Sequence, residues 1–390
     1  MIKNSLNRLN INFFEKRVIS KNNRFKISNS DKKELYNFFL NKTILVTGAS
    51  GSIGSKFAMS LLEFSFKKLF LLDKNENDLT TLNRKIIYKV NKKNIQYICA
   101  DINSLNLDNF LTDNKINIYL NFAAIKHVRS EENLYSIKYM FSTNYENFFN
   151  IKYKSKYLKK IFSISTDKAA DPSSLMGASK SMMEYKLKKI VEKYDDISVC
   201  SARFANVSFS RGSILEYALD CIKEKISFGI PANIKRYFIT HEEAISICYH
   251  ALLKKNNNSI VIPNKTVLGS QIQIKDIIDK ISKIYNYKFT YKKKFEEKIN
   301  KKTNYIYLTD DNIVGQKMFE KFSTTYEDYF IKKSNSFLDK LSLDNLKFIN
   351  LNIYNKIKLS KNIKQFKYLI SNLVPGYKFK SRQIKVSQII

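Results

Sequence analysis

Two adjacent residues, Asp167 and Lys168, place an acid beside a base directly after a short apolar run at residues 160–164. The run is rich in β-branched and aromatic residues and ends in Ser-Thr-Asp-Lys, which predicts a buried strand with a polar carboxyl end. In open α/β sheets, ligands bind at that end of the strands. Pro172 then breaks the pattern before a helix-like segment starts. We therefore interpret residues 163–180 as an active-site loop suited to proton transfer.

A glycine-rich turn near the start of the chain is the second motif with chemical meaning. Thr-Gly-Ala-Ser-Gly-Ser-Ile-Gly at residues 47–54 follows a strand-like run at 42–46, and apolar residues with helical spacing come next. Strand, glycine turn and helix form the arrangement that binds a dinucleotide diphosphate at the positive end of the helix. The cofactor-binding residues predicted in this turn are Gly48, Ser50, Gly51, Ser52, Ile53 and Gly54.

An acidic residue, Asp73, ends a second strand-like run at 67–72. It lies about 20 residues after the glycines, where a carboxylate can bind the adenosine ribose hydroxyls. An acid at this position repels a 2′-phosphate and therefore favours NAD over NADP. The neighbouring Lys74 leaves NADP open.

Strand-like runs and helix-like stretches continue to alternate along the chain. The further strands are predicted at 95–100, 116–122, 160–164 and 197–204, and helices at 78–90 and 136–153. Asp101 and Ala123 follow two of these strands and join the predicted cofactor-binding residues. The alternation predicts an α/β fold: a Rossmann doubly wound parallel sheet with a smaller C-terminal substrate-binding region.

The domain organisation follows from these patterns. Residues 1–40 are rich in Lys and Asn and are predicted to be a polar extension that packs on the surface or stays loose. Residues 41–205 form the predicted dinucleotide-binding core, to which 237–265 return. Residues 206–236 and 266–390 form the predicted substrate-binding region and the C-terminal tail.

One irregular excursion, residues 205–236, carries Asn206, Arg211 and Arg236. Arginine side chains present paired donors that match phosphate oxygens. These three residues could clamp the phosphates of a substrate, although ordinary surface arginines would give the same pattern.

The composition limits the class of protein. The 390 residues are 44% hydrophobic, and the apolar runs are strand-sized, well short of the roughly 18 residues of a membrane span. The N-terminus has no secretory signal pattern, so we expect a soluble, cytoplasmic protein without a membrane span. Four scattered cysteines and three scattered histidines lack metal-site spacing, and we expect buried, reduced thiols and no metal.

The net charge of +33 raises the question of nucleic-acid binding. The lysines run through almost every predicted helix and loop and do not form a single basic stripe. A general compositional bias explains this distribution better, and we expect no nucleic-acid partner. A positive field would still attract a phosphorylated, anionic substrate.

The order and spacing of these motifs resemble the polysaccharide-biosynthesis branch of the extended short-chain dehydrogenase/reductases, the UDP-N-acetylglucosamine 4,6-dehydratases. The resemblance covers about residues 41–377 and is most specific in the block from Ser165-Thr166-Asp167-Lys168 to Met176-Gly177-Ala178-Ser179-Lys180. Other matching motifs are Lys126-His127-Val128, Arg203-Phe204, Asn206-Val207, Ser210-Arg211-Gly212-Ser213, Arg236-Tyr237-Phe238, Thr309-Asp310-Asp311, Gly315-Gln316-Lys317, Phe319-Glu320-Lys321-Phe322 and Leu373-Val374-Pro375-Gly376-Tyr377.

The sequence departs from the family pattern at Met176, where most short-chain dehydrogenases carry a tyrosine four residues before the active-site lysine. A thioether cannot donate or accept a proton usefully. Similar sequences in the membrane-anchored dehydratase branch also have Met at this position, which argues against an inactive enzyme. From the strand-sized apolar runs of this sequence we do not expect the membrane helices of that branch. Ala205 also replaces a glycine that is frequent in the family.

The resemblance implies a lyase, a nucleotide-sugar 4,6-dehydratase that converts UDP-N-acetylglucosamine to a UDP-4-keto-6-deoxy-N-acetylhexosamine through bound NAD, for surface polysaccharide or glycan synthesis. It implies Lys168 as the base at C5 and Asp167 as the acid for the leaving hydroxyl. Thr166 would contact the C4 hydroxyl, and Lys180 would hold the nicotinamide ribose. The substrate-binding residues it implies are Lys126, Met176, Asn206, Arg211 and Arg236.

Two other functions fit the same motifs. A nucleotide-sugar 4-epimerase has the same fold and cofactor but needs no acid and base at C5 and C6, so the Asp167-Lys168 pair argues against it. A non-catalytic NAD(P)-binding sensor would bind the cofactor and form no product. We also expect the protein to be a homo-oligomer.

Overall fold

A computed structural model of the protein describes residues 10–88, 94–127, 131–147, 155–287, 289–292, 305–309 and 319–378. The strands in these residues are β1 (Thr43–Thr47), β2 (Lys68–Asp73), β3 (Ile95–Cys99), β4 (Ile118–Asn121), β5 (Lys160–Thr166), β6 (Ser198–Phe204), β7 (Asn206–Val207), β8 (Phe228–Pro231), β9 (Lys235–Arg236), β10 (Phe238–Ile239), β11 (Ser259–Pro263), β12 (Ile272–Gln273), β13 (Thr290–Lys292), β14 (Tyr305–Thr309), β15 (Lys332–Lys333) and β16 (Leu338–Ser342).

The helices are mostly short, apart from one of nineteen residues. They are α1 (Ile11–Phe14), α2 (Asn29–Phe39), α3 (Ser52–Ser60), α4 (Glu76–Ile87), α5 (Leu107–Asp113), α6 (Leu134–Phe141), α7 (Leu175–Lys193), α8 (Ile214–Glu224), α9 (His241–Leu252), α10 (Lys265–Leu268), α11 (Ile274–Ile284), α12 (Thr325–Asp328), α13 (Tyr354–Lys358) and α14 (Ile363–Leu373). A π-helical turn, Glu15–Ile19, continues α1, and a second, Ser142–Glu146, continues α6.

A nine-stranded sheet with the order β15-β16-β11-β6-β5-β4-β1-β2-β3 forms the centre of the fold. The seven strands β11, β6, β5, β4, β1, β2 and β3 are parallel. Strands β16 and β15 extend the sheet beyond β11 in antiparallel pairing. All five residues of β1 and all four of β4 are buried, as expected for parallel strands covered on both faces. The order 3-2-1-4-5-6 is that of a doubly wound sheet. The predicted fold class is confirmed.

Two groups of helices flank this sheet. Helices α2, α3 and α9 pack together through aromatic side chains, with the rings of Phe57 and Tyr249 4.8 Å apart. Helices α6, α7 and α14 form the other group, in which the rings of Phe141 and Phe366 lie 5.1 Å apart. The strands that the sequence predicts up to residue 204 coincide with β1 to β6 within a few residues. The predicted helix at 136–153 is observed from Leu134, and its last residues lie outside the described ones.

Helix α7 starts earlier than the apolar spacing around Met183 indicates. The Ser174 side chain caps it by accepting a hydrogen bond from the Gly177 N–H at 3.1 Å. Such a cap satisfies one of the free N–H groups of the first turn. Met176 and Lys180 therefore both lie on the helix.

The segment before residue 40 is not merely a polar extension, because its apolar side chains are buried. Phe25, Leu35 and Phe39 belong to the main core, while Phe14 and Val18 belong to a second core that includes α8 and α11. Lys and Asn surround these side chains in sequence and mask the apolar pattern. The described part of the first forty residues is thus integral to the fold.

Glu15 ties this N-terminal segment to the later chain. Its Oε1 accepts hydrogen bonds from the Ser208 hydroxyl at 2.8 Å and from the backbone N–H of His241 at 2.8 Å. Burial alone would raise the pKa of Glu15, but its interactions with His241 and Ser208 lower it. The buried carboxylate is therefore held in its charged form.

The tail also departs from the predicted boundaries. Strand β16 pairs with β11 in the main sheet, and Tyr354 stacks on Phe141 with ring centres 5.8 Å apart. Residues 338–373 therefore pack with the dinucleotide-binding core, although the sequence assigns them to the substrate region and tail. The smaller region contains the three-stranded sheet β13-β14-β8 together with α8 and α11.

Candidate active site

The glycine turn after β1 fits a bound diphosphate. Gly48 has a φ of +67°, and a Cβ on it would lie 2.5 Å from the backbone nitrogen of Ala123. A Cβ on Gly54 would lie 2.1 Å from the Gly48 carbonyl oxygen. Gly51 is the N-cap residue of helix α3, and no side chain there accepts a hydrogen bond from the free N–H groups of the first turn. Close backbone approach and uncapped N–H groups are what a dinucleotide phosphate requires.

The other residues of this turn meet neighbouring elements. The N–H of Ser50 donates to Asp73 Oδ2 at 2.9 Å, and Asp73 Oδ1 accepts from the Asn75 N–H at 3.0 Å. These bonds fix the Asp73 carboxylate at the end of β2 beside the glycine turn. The side chain of Ile53 packs against the main core, and the Ser52 hydroxyl accepts a hydrogen bond from another loop, described below.

Asp101 lies at the end of the neighbouring strand β3. Its Oδ2 accepts a hydrogen bond from the Tyr139 hydroxyl at 2.6 Å, and its Oδ1 accepts from the Asn103 N–H at 2.9 Å. Lys74 donates to the same Tyr139 hydroxyl at 2.9 Å. Asp73, Asp101 and Ala123 all follow strands at the carboxyl edge of the sheet, where the dinucleotide is predicted to bind.

The predicted acid and base lie in one 3₁₀ turn, Asp167–Ala169, at the end of β5. Asp167 is 2% exposed, and its Oδ1 accepts hydrogen bonds from the Thr166 hydroxyl at 2.7 Å and from Lys168 Nζ at 3.1 Å. The other oxygen, Oδ2, is buried and has no hydrogen-bond partner within the described part of the chain. One carboxylate oxygen is thus held by the protein, while the second is a buried acceptor without a hydrogen bond from the described residues.

Lys168 faces a second carboxylate that sequence reasoning did not place here. Its Nζ lies 3.4 Å from Glu320 Oε1, which is also 3.7 Å from Nε of Arg236. Burial by itself would lower the pKa of Lys168, but the Asp167 and Glu320 carboxylates outweigh burial and raise that pKa. The lysine is therefore a stable ammonium in the free protein.

Lys180 is buried under the end of β5, where its Nζ donates to the Ile164 carbonyl at 3.0 Å. Burial lowers the pKa of Lys180 to about 8, although Glu184 acts in the opposite direction. This lysine is thus the easier of the two to deprotonate near neutral pH.

Met176 is buried in the main core, and its N–H donates to Glu131 Oε1 at 3.1 Å. Burial raises the pKa of that glutamate. At the next position, a Cβ on Gly177 would lie 2.5 Å from the Lys168 carbonyl oxygen. Glycine therefore allows the start of α7 to lie directly against the backbone of the predicted base.

The predicted phosphate-binding residues do not all meet at one place. Arg236 is buried beside Glu320, and Asn206 Nδ2 donates to the carbonyl of the adjacent Tyr237 at 3.3 Å. Arg211 instead forms an exposed ion pair with Asp78 of α4, and its N–H donates to the Ser52 hydroxyl at 2.8 Å. Arg211 thus lies at the glycine turn.

Lys126 belongs to the same rim of the site. Its Nζ donates to the Ser210 hydroxyl at 3.1 Å, one residue before Arg211. Of the motif residues that carry the family resemblance, Val128, Asp310, Asp311 and 315–317 lie outside the described residues.

A buried ion network behind the site involves Arg203, which is 1% exposed. Its guanidinium contacts Glu184 at 2.7 Å and Glu327 at 2.8 Å, and it also donates to the Phe322 carbonyl at 2.8 Å. Every side of this arginine is satisfied by the protein. The Arg203 side chain therefore anchors the segment 319–328.

The described residues contain no group of three His, Cys, Asp or Glu side chains placed to hold a metal ion. Within the same ranges, no helix is long and apolar enough to cross a membrane. Cys200, Cys221 and Cys248 are buried free thiols, whereas Cys99 at the end of the edge strand β3 is exposed, contrary to the expectation of four buried thiols.

Residues 44–332 match the family described as "Polysaccharide biosynthesis protein". The capsular polysaccharide biosynthesis protein CapD of Staphylococcus aureus is 28% identical over 313 residues, which are 75% of this chain and 49% of CapD. The chain thus spans about half the length of that relative. The uncharacterized membrane protein MJ1061 of Methanocaldococcus jannaschii is 27% identical over 360 residues, or 86% of this chain and 99% of MJ1061.

Solved structures share the fold. Pen from Bacillus thuringiensis superposes with a TM-score of 0.65 at 21% identity, covering 78% of this chain and 87% of Pen. The UDP-glucuronic acid 4-epimerase of Bacillus cereus, in complex with UDP-glucuronic acid and NAD, gives a TM-score of 0.55 at 20% identity, covering 72% of this chain and 90% of the epimerase.

Proposed function

This chain belongs to the polysaccharide biosynthesis protein family, and we propose that it is a nucleotide-sugar 4,6-dehydratase acting on UDP-N-acetylglucosamine. The observation that carries the proposal is the Asp167-Lys168 pair at the carboxyl end of β5, with one buried carboxylate oxygen left without a protein partner. Dehydration across C5 and C6 needs an acid and a base at adjacent positions, which this pair supplies.

NAD is the cofactor that the proposal requires, with Asp73 favouring it over NADP. Bound NAD supplies a reversible two-electron oxidation of the sugar at C4, which acidifies the proton at C5. The glycine turn would hold its diphosphate, Asp73 and Asp101 its adenosine half, and Lys180 the nicotinamide ribose. The NAD-bound epimerase of Bacillus cereus has the same fold, which supports this choice.

The raised pKa of Lys168 defines how the pair would work. A proton passes from Lys168 Nζ to the Asp167 carboxylate, 3.1 Å away, and leaves a neutral amine beside a carboxylic acid. The amine then takes the proton from C5, and Asp167 gives its proton to the hydroxyl leaving C6 as water. After the loss of water both side chains are back in their original protonation states, and the sugar carries a C5–C6 double bond. The cycle would close when the hydride taken from C4 returns to C6 and Lys168 gives a proton to C5. The proton lost by the C4 hydroxyl would then restore the Lys168 ammonium.

Thr166 has two roles in this scheme. Its hydroxyl occupies Asp167 Oδ1 at 2.7 Å, which leaves Oδ2 for the substrate. We also assign the Thr166 hydroxyl to hydrogen bonding with the C4 hydroxyl of the sugar. A tyrosine at position 176 would make that contact, but Met176 stands there and its thioether cannot transfer a proton. Met176 instead gives the sugar an apolar contact.

Substrate phosphates would meet the basic residues at the rim of the site. Arg236 with Asn206 beside it forms one side, and Lys126 and Arg211 form the side next to the glycine turn. Arg211, which is exposed, would have to exchange its partner Asp78 for a phosphate, and ion pairs at the surface are weak enough to allow that exchange.

The test is a time course of the purified protein with UDP-N-acetylglucosamine and NAD⁺ in D₂O, followed by NMR. A 4-keto-6-deoxy product with deuterium at C5 is expected. The Lys168→Ala variant should form no product while NAD⁺ binding survives, whereas Lys189→Ala, on the exposed side of α7, should behave like the wild type. If Lys168→Ala turns over at a near wild-type rate, the assignment of the base is wrong.

The same experiment separates the alternatives. A 4-epimerase, the activity named for the Bacillus cereus structure, would give a C4 epimer without deuterium at C5. A sensor protein would bind NAD⁺ and leave the sugar nucleotide unchanged.

A further inference from the structure

One buried carboxylate beside the predicted active site, Glu320, has no part in the proton transfers described above. It is 5% exposed and lies in the Phe319-Glu320-Lys321-Phe322 motif, to which the sequence assigns no role. Its Oε1 lies 3.4 Å from Lys168 Nζ and 3.7 Å from Arg236 Nε. A single oxygen therefore faces both the predicted base and a predicted phosphate-binding arginine.

The position of Glu320 is fixed by its neighbours along the chain. Phe322 is buried against Tyr237, with ring centres 5.6 Å apart, and its carbonyl accepts a hydrogen bond from Arg203 at 2.8 Å. Gln271 Nε2 also donates a hydrogen bond to the Glu320 backbone carbonyl at 3.4 Å. Because Arg203 is held by two glutamates, the frame around Glu320 has little freedom to move.

Charges alternate within this group. Among the described residues, the charged side chains that face Lys168 are the Asp167 and Glu320 carboxylates and the Arg236 guanidinium. Arg236 and Glu320 are buried, and about a quarter of the Lys168 side chain is exposed, at 23%. Opposite charges this close favour the charged form of each partner, and burial strengthens the effect.

We propose that Glu320 is a positioning residue that holds Lys168 and Arg236 to one carboxylate and controls when Lys168 carries its proton. If Glu320 lost its negative charge, Asp167 would be the one carboxylate left to stabilise the Lys168 ammonium. Arg236 would still repel that ammonium. Lys168 would then lose its proton at a lower pH. The meaning of this contact for catalysis rests on the proposed function, but the contact can be tested without turnover.

The first experiment measures the titration of Lys168 directly in the full-length protein. The acylation rate of Lys168 by acetic anhydride, read by peptide mass spectrometry across a pH series, reports the fraction of neutral amine. In Glu320→Gln, which preserves the shape of the side chain, the midpoint should fall by about 1 to 3 pH units. Glu320→Asp restores the charge and should return the midpoint towards that of the wild type.

A matched control is Glu146→Gln. Glu146 is also buried and paired with a lysine, Lys358, at 2.6 Å, and it does not face Lys168. Its removal should leave the Lys168 midpoint unchanged. Thermal unfolding and NAD⁺ binding of each variant show that the fold is intact. An unchanged midpoint in a folded Glu320→Gln protein overturns the inference.

The second experiment uses turnover. If Lys168 and Asp167 share one proton as proposed, activity falls when the pair loses it, so the descending limb of kcat/KM against pH should move to lower pH in Glu320→Gln by about as much as the acylation midpoint. A wild-type protein that forms no 4-keto-6-deoxy product refutes the proposed function, while the acylation series still decides the role of Glu320. A limb that stays in place while the acylation midpoint moves overturns the catalytic part of the inference.

Discussion

Replacement of Lys180 by methionine tests the electrostatics of the site through stability. Lys180 is 4% exposed, and burial lowers its pKa from 10.5 to about 8. That difference corresponds to about 3 kcal/mol of unfavourable free energy for the buried ammonium. Methionine has a similar length and no charge. Lys180→Met removes this cost and loses the hydrogen bond to the Ile164 carbonyl, which contributes about 1 kcal/mol.

The pH dependence has a definite sign. Because the pKa is lower in the folded protein than in the unfolded chain, the cost is fully present below pH 8 and disappears as the pH rises towards 10.5. We expect Lys180→Met to be more stable than the wild type by about 2 kcal/mol at pH 7. The difference should shrink by about 2 kcal/mol by pH 9.5, since the wild-type lysine is then largely neutral when folded.

The assay is urea unfolding of the cofactor-free protein at pH 7 and pH 9.5. Lys193→Met, an exposed residue of the same helix, is the control and should change the stability by less than about 0.5 kcal/mol at either pH. The reasoning is refuted if Lys180→Met is less stable than the wild type at pH 7, or if the difference is the same at both pH values.

Two further substitutions test the frame of the site. Gly54→Ala places a methyl group 2.1 Å from the Gly48 carbonyl oxygen. The affinity for NAD⁺, measured by calorimetric titration, should therefore fall at least about tenfold, or about 1.4 kcal/mol. The control is Gly229→Ala, whose nearest contact is a threonine methyl at 3.3 Å, and this variant should bind NAD⁺ normally. Arg203→Met leaves Glu184 and Glu327 buried without their partner and should lower the free energy of unfolding by about 3 to 5 kcal/mol. Exposed Arg84→Met is its control, and an equal loss in both variants would contradict the role of the network.

Local patterns were sufficient to predict the first six strands and the helix that follows the glycine turn. Each of these strands is a largely apolar run of strand length, and buried parallel strands have that appearance. Strand β16 was not predicted because Leu-Asp-Lys-Leu-Ser carries two charges and does not look like a buried strand; it lies between β11 and the two-residue edge strand β15. Its pairing with β11 joins segments about 80 residues apart and follows from tertiary packing.

Within the candidate site, contacts between sequence neighbours and between adjacent strands of the doubly wound sheet could be predicted, and other contacts across the fold could not. Thr166, Asp167 and Lys168 meet because they are consecutive, and Gly48 meets Ala123 because β1 and β4 are adjacent in a doubly wound sheet. Glu320 reaches Lys168 only because Phe322 and Arg203 anchor its segment. No local signal in residues 319–322 indicates that encounter.

The burial of Phe14 and Glu15 has a consequence for the order of folding. Glu15 bonds to the backbone of His241, 226 residues later in the chain. A ribosome adding about 5 to 20 residues per second needs roughly 10 to 45 s to make that stretch. Until His241 is made, Glu15 lacks this partner, and Phe14 lacks its stacking partner Tyr285, which comes later still. The first described residues of the chain are therefore among the last to reach their native positions during synthesis.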